Sequence, residues 1–178
     1  MKALVTYWSA TGNTAKVSQT IYEALVQEQV DSRILKLAEA GNEDFLNYDL
    51  VFFGAPPYQF TVADPVLRFI KDKMNYHRDR GDIKPTAPKI PGKRAVVFCT
   101  YSGPHTGKRE ALPAVKYMGQ FFEHLGFTII GEWYIIGEFH NQSVLSTQGV
   151  LGDIRGRPNI KDLAAVRRRV KRIINSKC

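Results

Sequence analysis

Cysteine is nearly missing from this chain, with two in 178 residues. Cys99 lies inside an apolar run and Cys178 is the last residue, so no structural disulfide is expected. No C-x-x-C pair occurs, which argues against an iron–sulfur centre or a thioredoxin-type dithiol. Histidine is scarce too, and no H-E-x-x-H or paired pattern points to a metal centre, so none is expected. His77, His124 and His140 fall in a basic stretch, a helix and a loop, and each is expected at the surface. Apolar runs long enough to span a bilayer are missing, so no membrane span is expected. Met1-Lys2-Ala3 enters a strand pattern without a secretory signal, and the expectation is a cytoplasmic protein. The Asn141-Gln142-Ser143 sequon then reads as a chance match.

Acid is the charge in short supply. The chain carries 25 Lys and Arg against 17 Asp and Glu, a net charge of +8. The excess is local: from Ile160 onward stand Lys161, Arg167, Arg168, Arg169, Lys171, Arg172 and Lys177 against the single acid Asp162. Such a face either is solvated or docks an acidic protein or nucleic acid. Aromatics that would stack single-stranded bases are not interleaved with these charges, so nucleic acid is the weaker reading.

What the chain does have is a regular alternation of short apolar runs and amphipathic segments. Strands are expected at Lys2–Tyr7, Ser32–Leu37, Asp49–Gly54, Arg94–Thr100 and Phe127–Ile136, the last interrupted by Gly131. Helices are expected at about Asn13–Gln27, Ala63–Met74, Ala111–Leu125 and Asn159–Asn175. On the last helix, Ile160, Leu163, Val166, Val170, Ile173 and Ile174 form an apolar stripe. Alternating strands and helices imply a parallel sheet covered on both faces. The length fits one domain over residues 1–178. Two stretches interrupt it as loop insertions, about 75–93, rich in Pro, and 138–158, rich in Gly.

Between the first strand and the first helix stands Ser9-Ala10-Thr11-Gly12-Asn13-Thr14. The first N–H groups of a helix have no internal partners, and the helix dipole is positive there, so a phosphate is stabilised without Lys or Arg. Three hydroxyls, on Ser9, Thr11 and Thr14, can donate to it. Gly12 permits close approach or positive φ, and Asn13 tolerates left-handed geometry. The same residues also suit an ordinary capped helix start. The Lys of a nucleotide-hydrolysing P-loop and the dinucleotide G-x-G-x-x-G are both absent.

This segment resembles the [ST]-x-T-G-x-T phosphate loop of flavodoxins. The resemblance implies a flavodoxin-like, doubly wound five-stranded parallel sheet of order 2-1-3-4-5 in three α/β/α layers. Flavodoxin is itself the type example of that order, with FMN at the switch between strands one and three. The resemblance also implies FMN held by Ser9, Ala10, Thr11, Gly12, Asn13 and Thr14. After strand three, Gly54-Ala55-Pro56-Pro57-Tyr58-Gln59-Phe60 resembles the flavodoxin loop against one face of the flavin ring. Pro57 replaces the usual Thr, and Tyr58 stands where a stacking aromatic is common. Pro56, Pro57, Tyr58, Gln59 and Phe60 are therefore expected to line the flavin site. After strand four, Gly103-Pro104-His105-Thr106-Gly107-Lys108-Arg109-Glu110 partly resembles the G-x-x-H-G-G-x-E loop of flavodoxin-like NAD(P)H:quinone oxidoreductases. Tyr101, Ser102, Gly103, His105 and Gly107 join the expected flavin-binding residues, with His105 as the candidate catalytic residue at the flavin edge. With His105 and Lys108 there in place of an acid, full reduction of the flavin is expected to be easier than in acidic flavodoxins.

These features imply an FMN-binding redox protein that passes electrons to a redox partner protein. An NAD(P)H-dependent reductase of FMN or a small quinone-like acceptor at the same site is the alternative. A basic module that docks an acidic partner or nucleic acid is the alternative of another class. Whether the chain forms a homo-oligomer is open.

Overall fold

Three apolar runs, Ala3–Thr6, Leu50–Gly54 and Ala95–Tyr101, are buried along their whole length and lie side by side. That decides the layering, because strands buried on both faces need cover on both. The computed structural model describes residues 1–176; Lys177 and Cys178 lie outside the described residues. In chain order the elements are β1 (Lys2–Tyr7), α1 (Asn13–Gln27), β2 (Asp31–Lys36), β3 (Leu50–Gly54), β4 (Pro57–Tyr58), β5 (Thr61–Val62), α2 (Asp64–Asp79), β6 (Arg94–Tyr101), α3 (Leu112–His124), β7 (Thr128–Ile136), α4 (Ser143–Thr147) and α5 (Ile160–Asn175). The main sheet runs β2-β1-β3-β6-β7, parallel throughout, while β4 and β5 form a separate two-stranded hairpin. With the hairpin set aside, this is the expected 2-1-3-4-5 order.

Side chains alternate across the sheet and feed two cores. Ala3, Val5, Phe52, Val96 and Phe98 point to one face, under α1 and α5. Leu4, Val51, Phe53 and Val97 point to the other, under α2 and α3, where Phe45, Phe121 and Phe122 pack edge to face. The interruption expected at Gly131 is a β-bulge: Ala95 pairs with Ile129 and Val96 with Gly131, so Ile130 is the extra residue. Cys99 is a fully buried core residue, and burial pushes its thiol well above the ordinary range.

Element ends match the expected ones within a residue, except at the end of α2. The hydrophobic pattern ends that helix at Met74, whereas it runs on to Asp79. Its buried stripe is Val66, Ile70, Lys73 and His77, and two polar members hide the helical period from a hydrophobicity pattern. His77, expected at the surface, is fully buried with Nδ1 2.8 Å from Asp82 Oδ2. Lys73 Nζ is satisfied by the carbonyls of Gly41 and Glu43. The 138–158 stretch contains one short helix, α4. At the start of α5, Ile160 is 79% exposed and does not join the stripe. The helix reaches the sheet only from Leu163 onward, and Val166 and Val170 carry most of the burial.

Two contacts fix where the strand ends meet the helices. Gly54, paired with Phe98 across β3 and β6, lies under the Phe98 ring. A Cβ there would stand 2.1 Å from the ring. Thr14 and Thr100, both buried, share a 2.7 Å hydroxyl–hydroxyl hydrogen bond that ties α1 to β6. Gly54→Ala should therefore cost about 1–3 kcal/mol in urea unfolding, as overpacking does. Gly41→Ala, with nothing within 4 Å of its Cβ, should stay within roughly 0.5 kcal/mol of wild type. Thr14→Val or Thr100→Val alone should each cost about 1–3 kcal/mol by orphaning the other hydroxyl. The double variant should cost clearly less than their sum in a double-mutant cycle.

Candidate functional site

Parallel strands deliver all their carboxyl ends to one edge of the sheet, and four loops meet there. They follow β1, β3, β6 and β7 and enclose a cleft of about 510 Å³, within the usual range of small-molecule and cofactor sites. It sits where strand order reverses, between β1 and β3.

The first wall is the start of α1. Gly12 caps the helix at φ +96°, a left-handed geometry that glycine tolerates best. Its N–H donates to Ser9 Oγ at 3.1 Å, and its carbonyl accepts from Lys16. Among the described residues, no acceptor satisfies the amides of Ala10, Thr11, Asn13 or Thr14. Ser9, Ala10, Thr11, Asn13 and Thr14 line the cleft. Gly12 does not, and its part is to shape the turn. Of the three hydroxyls expected to face a phosphate, Thr14 is committed to Thr100 and Ser9 accepts from Gly12. Thr11 is exposed.

The second wall is the hairpin of β4 and β5. Pro56, Pro57, Tyr58, Gln59 and Phe60 all line the cleft. Gln59 (φ 46°) and Phe60 (φ 69°) form its tip, both in the left-handed region. Such a geometry at a bulky residue costs on the order of 1–3 kcal/mol and is held by its surroundings. Tyr58 packs edge-on against Trp8 at 5.4 Å, which braces the hairpin on the end of β1. Phe60 remains 60% exposed.

The third wall follows β6. Tyr101, Ser102, Gly103 and His105 line it. Burial holds the Tyr101 phenol above its ordinary range. Gly107, expected with them, lies outside the lining: it is buried behind, its backbone against Gly103. A Cβ on Gly103, which has φ +49°, would lie 2.5 Å from the Gly107 carbonyl oxygen. Glu110 closes this turn by accepting from the backbone N–H of His105 (2.8 Å) and Thr106 (2.6 Å). That frees the His105 imidazole, which is exposed at the cleft. Lys108 points away, with Nζ 4.1 Å over the Tyr134 ring. The expectation that His105 or Lys108 stands in place of the acid of this loop is therefore corrected at the cleft. Glu110 and Glu138 line it, and Lys108 does not.

The fourth wall, after β7, has no motif in the sequence. Gly137, Glu138, Phe139, His140 and Leu145 line the cleft. The Asn13 side chain donates to the Glu138 carbonyl at 2.9 Å, and its Oδ1 lies 3.2 Å from His140 Nε2. His140 thus belongs to the site and not to the open surface where it was expected. The only available sign was its position after the last strand of a doubly wound sheet, where ligand-binding loops lie.

Comparison with known proteins fits this geometry. The family model described as "Flavodoxin domain" matches residues 4–126. The flavodoxin-like domain-containing protein BilS of Clostridioides difficile (strain CD3) is 44% identical over 54 residues, covering 30% of each chain. The flavodoxin of Clostridium beijerinckii is 25% identical over 97 residues, covering 54% of this chain and 62% of that one. The matches thus span less than two thirds of the length of either relative. The crystal structure of oxidised flavodoxin 2 from Bacillus cereus superimposes with a TM-score of 0.66 at 16% identity, covering 96% of each chain. A family match across most of the chain, on a sheet of this order with its cleft at the strand reversal, means that the chain belongs to the flavodoxin domain family.

Proposed function

We propose that this protein binds FMN non-covalently and passes electrons to a redox partner protein. The observation that carries this reading is the start of α1. Among the described residues, four amides at a cleft at the β1/β3 reversal have no acceptor, and no Lys or Arg lines that cleft. Open amides at the positive end of a helix suit a phosphate group. The backbone from Ala10 to Thr14 would hold that phosphate. The Pro56–Phe60 hairpin and the Tyr101–His105 turn would hold the flavin ring, with Tyr58 as the flat side chain on one wall. When bound, the cofactor supplies the electron chemistry. The chain's own residues orient it, exclude water from its buried side, and set the local charge through Glu110, Glu138, His105 and His140.

A second reading, NAD(P)H-dependent reduction of a quinone-like acceptor at the same cleft, is favoured by one feature. Glu110 ties down the backbone of the turn and leaves the His105 imidazole free beside the space for a second flat ligand. The reading as a basic docking module draws less support. Arg167 pairs with Glu23 of α1 and Lys171 with Glu28 just beyond its end, so part of the basic face fastens α5 to its neighbour. Arg168 and Arg172 remain exposed and fit an acidic redox partner.

Purified protein should be yellow and should release FMN at near one per chain on denaturation. A colourless protein that takes up no added FMN overturns the proposal. Steady-state oxidation of NADPH with a benzoquinone acceptor separates the two redox readings. Under the reductase reading the FMN-loaded protein turns over well above free FMN. His105→Gln then lowers kcat/KM by roughly tenfold or more with FMN content unchanged. A rate no higher than that of free FMN leaves the carrier reading alone.

A further inference from the structure

Asn13 joins the start of α1 to the loop after β7. Its Nδ2 donates to the Glu138 carbonyl, which can only accept, so the orientation of its amide is fixed. Oδ1 is therefore the atom presented to His140 Nε2, 3.2 Å away. An amide oxygen only accepts, so Nε2 carries a proton in every charge state that keeps this bond. Uptake of a second proton takes place at Nδ1 and makes the ring a cation. The loop can come this close to α1 because residue 137 is glycine. A Cβ there would stand 3.0 Å from Asn13 Nδ2 and 3.4 Å from Thr100 Cβ.

His140 thus lines the cleft beside the open amides of the first wall. Among the described lining residues, His105 and His140 alone can become cationic, and His140 is the one bonded to the turn at the start of α1. Glu138, on the same loop, accepts from the Gly156 N–H through Oε2. On the segment behind, Arg157 pairs with Asp162. Hydrogen bonds from Arg155 hold the Asp153 carboxyl down at about 2. Glu110 and His105 line the same cleft from the loop after β6, and Lys16, in the first turn of α1, is exposed.

We propose that His140 supplies a titratable positive charge to the phosphate monoester bound at the start of α1, so that the protein holds FMN in a pH-dependent way that riboflavin does not share. The proposal rests on the FMN reading above. Backbone amides alone attract the phosphate equally at every pH where its own charge is constant. A histidine adds attraction only while it is protonated. The added affinity is therefore present at low pH, where a histidine is cationic, and is lost at high pH, where it is neutral. The second proton of the phosphate, which binds at about pH 6, works in the opposite direction. Comparison of variants cancels that effect, because every variant meets the same ligand.

The test is titration of flavin-free protein with FMN and with riboflavin, followed by flavin fluorescence, from about pH 6 to pH 8.5. His140→Gln should weaken FMN binding roughly tenfold at the acid end and little at the alkaline end. Its riboflavin affinity should equal that of wild type. His140→Lys should hold FMN with little fall in affinity across the same range. Wild-type binding of FMN by His140→Gln at every pH, with riboflavin bound normally, overturns the charge role and leaves the cofactor reading intact. Equal loss of FMN and riboflavin in His140→Gln also overturns it, assigning His140 to loop structure. A wild-type protein that binds neither flavin fails at the cofactor reading itself and takes the proposal with it.

Discussion

The parallel hydrogen-bond ladder of the main sheet is the constraint on which the rest of the molecule depends. Parallel pairing obliges every connection to cross from one sheet edge to the other, so all strand ends of one polarity gather together. Three central strands without a solvated face then oblige helices to cover both sides. The β1 and β3 connections leave in opposite directions, because α1 covers one face and α2 the other. That divergence opens the gap in which the cleft lies. The phosphate-type turn, the hairpin and the two later loops are additions to a gap the topology had already made.

The cleft is polarised by backbone more than by side chains. At the α1 end it offers amides in a turn shaped by the left-handed Gly12, and among the described residues no lysine or arginine lines it. At the other walls it offers aromatic and proline surface with two carboxylates and two imidazoles. The excess of positive charge lies elsewhere, on α5, where part of it is paired with Glu23 and Glu28. Net charge and site charge are therefore separate properties here. The first governs long-range attraction of a partner, and the second governs what the cleft holds.

How far the site could be read in advance varied from loop to loop, for physical reasons. Ser9 to Thr14 was legible because a strand, a glycine turn and a helix start in sequence order leave a local signature. Pro56 to Phe60 was legible for the same reason, since prolines and an aromatic follow directly on a buried strand. Gly107 and Lys108 were misplaced because a short turn can aim neighbouring side chains in opposite directions. Glu110 closes that turn through backbone contacts that no spacing reveals. His77 was misplaced because burial of a polar group depends on its partner, here Asp82, beyond the helix end.

Periodicity alone determined the strands, most helix boundaries and the two-faced sheet, because alternation and helical spacing are local properties. Resemblance of the turn at Ser9 to Thr14 determined where a phosphate would be sought. Only the tertiary structure decided that Thr14 commits its hydroxyl to Thr100, and that Asn13 reaches across to Glu138 and His140. Those contacts join residues 86, 125 and 127 positions apart. They exist because sheet order brings β6 and β7 beside the start of α1, and no local pattern carries information about neighbours that distant.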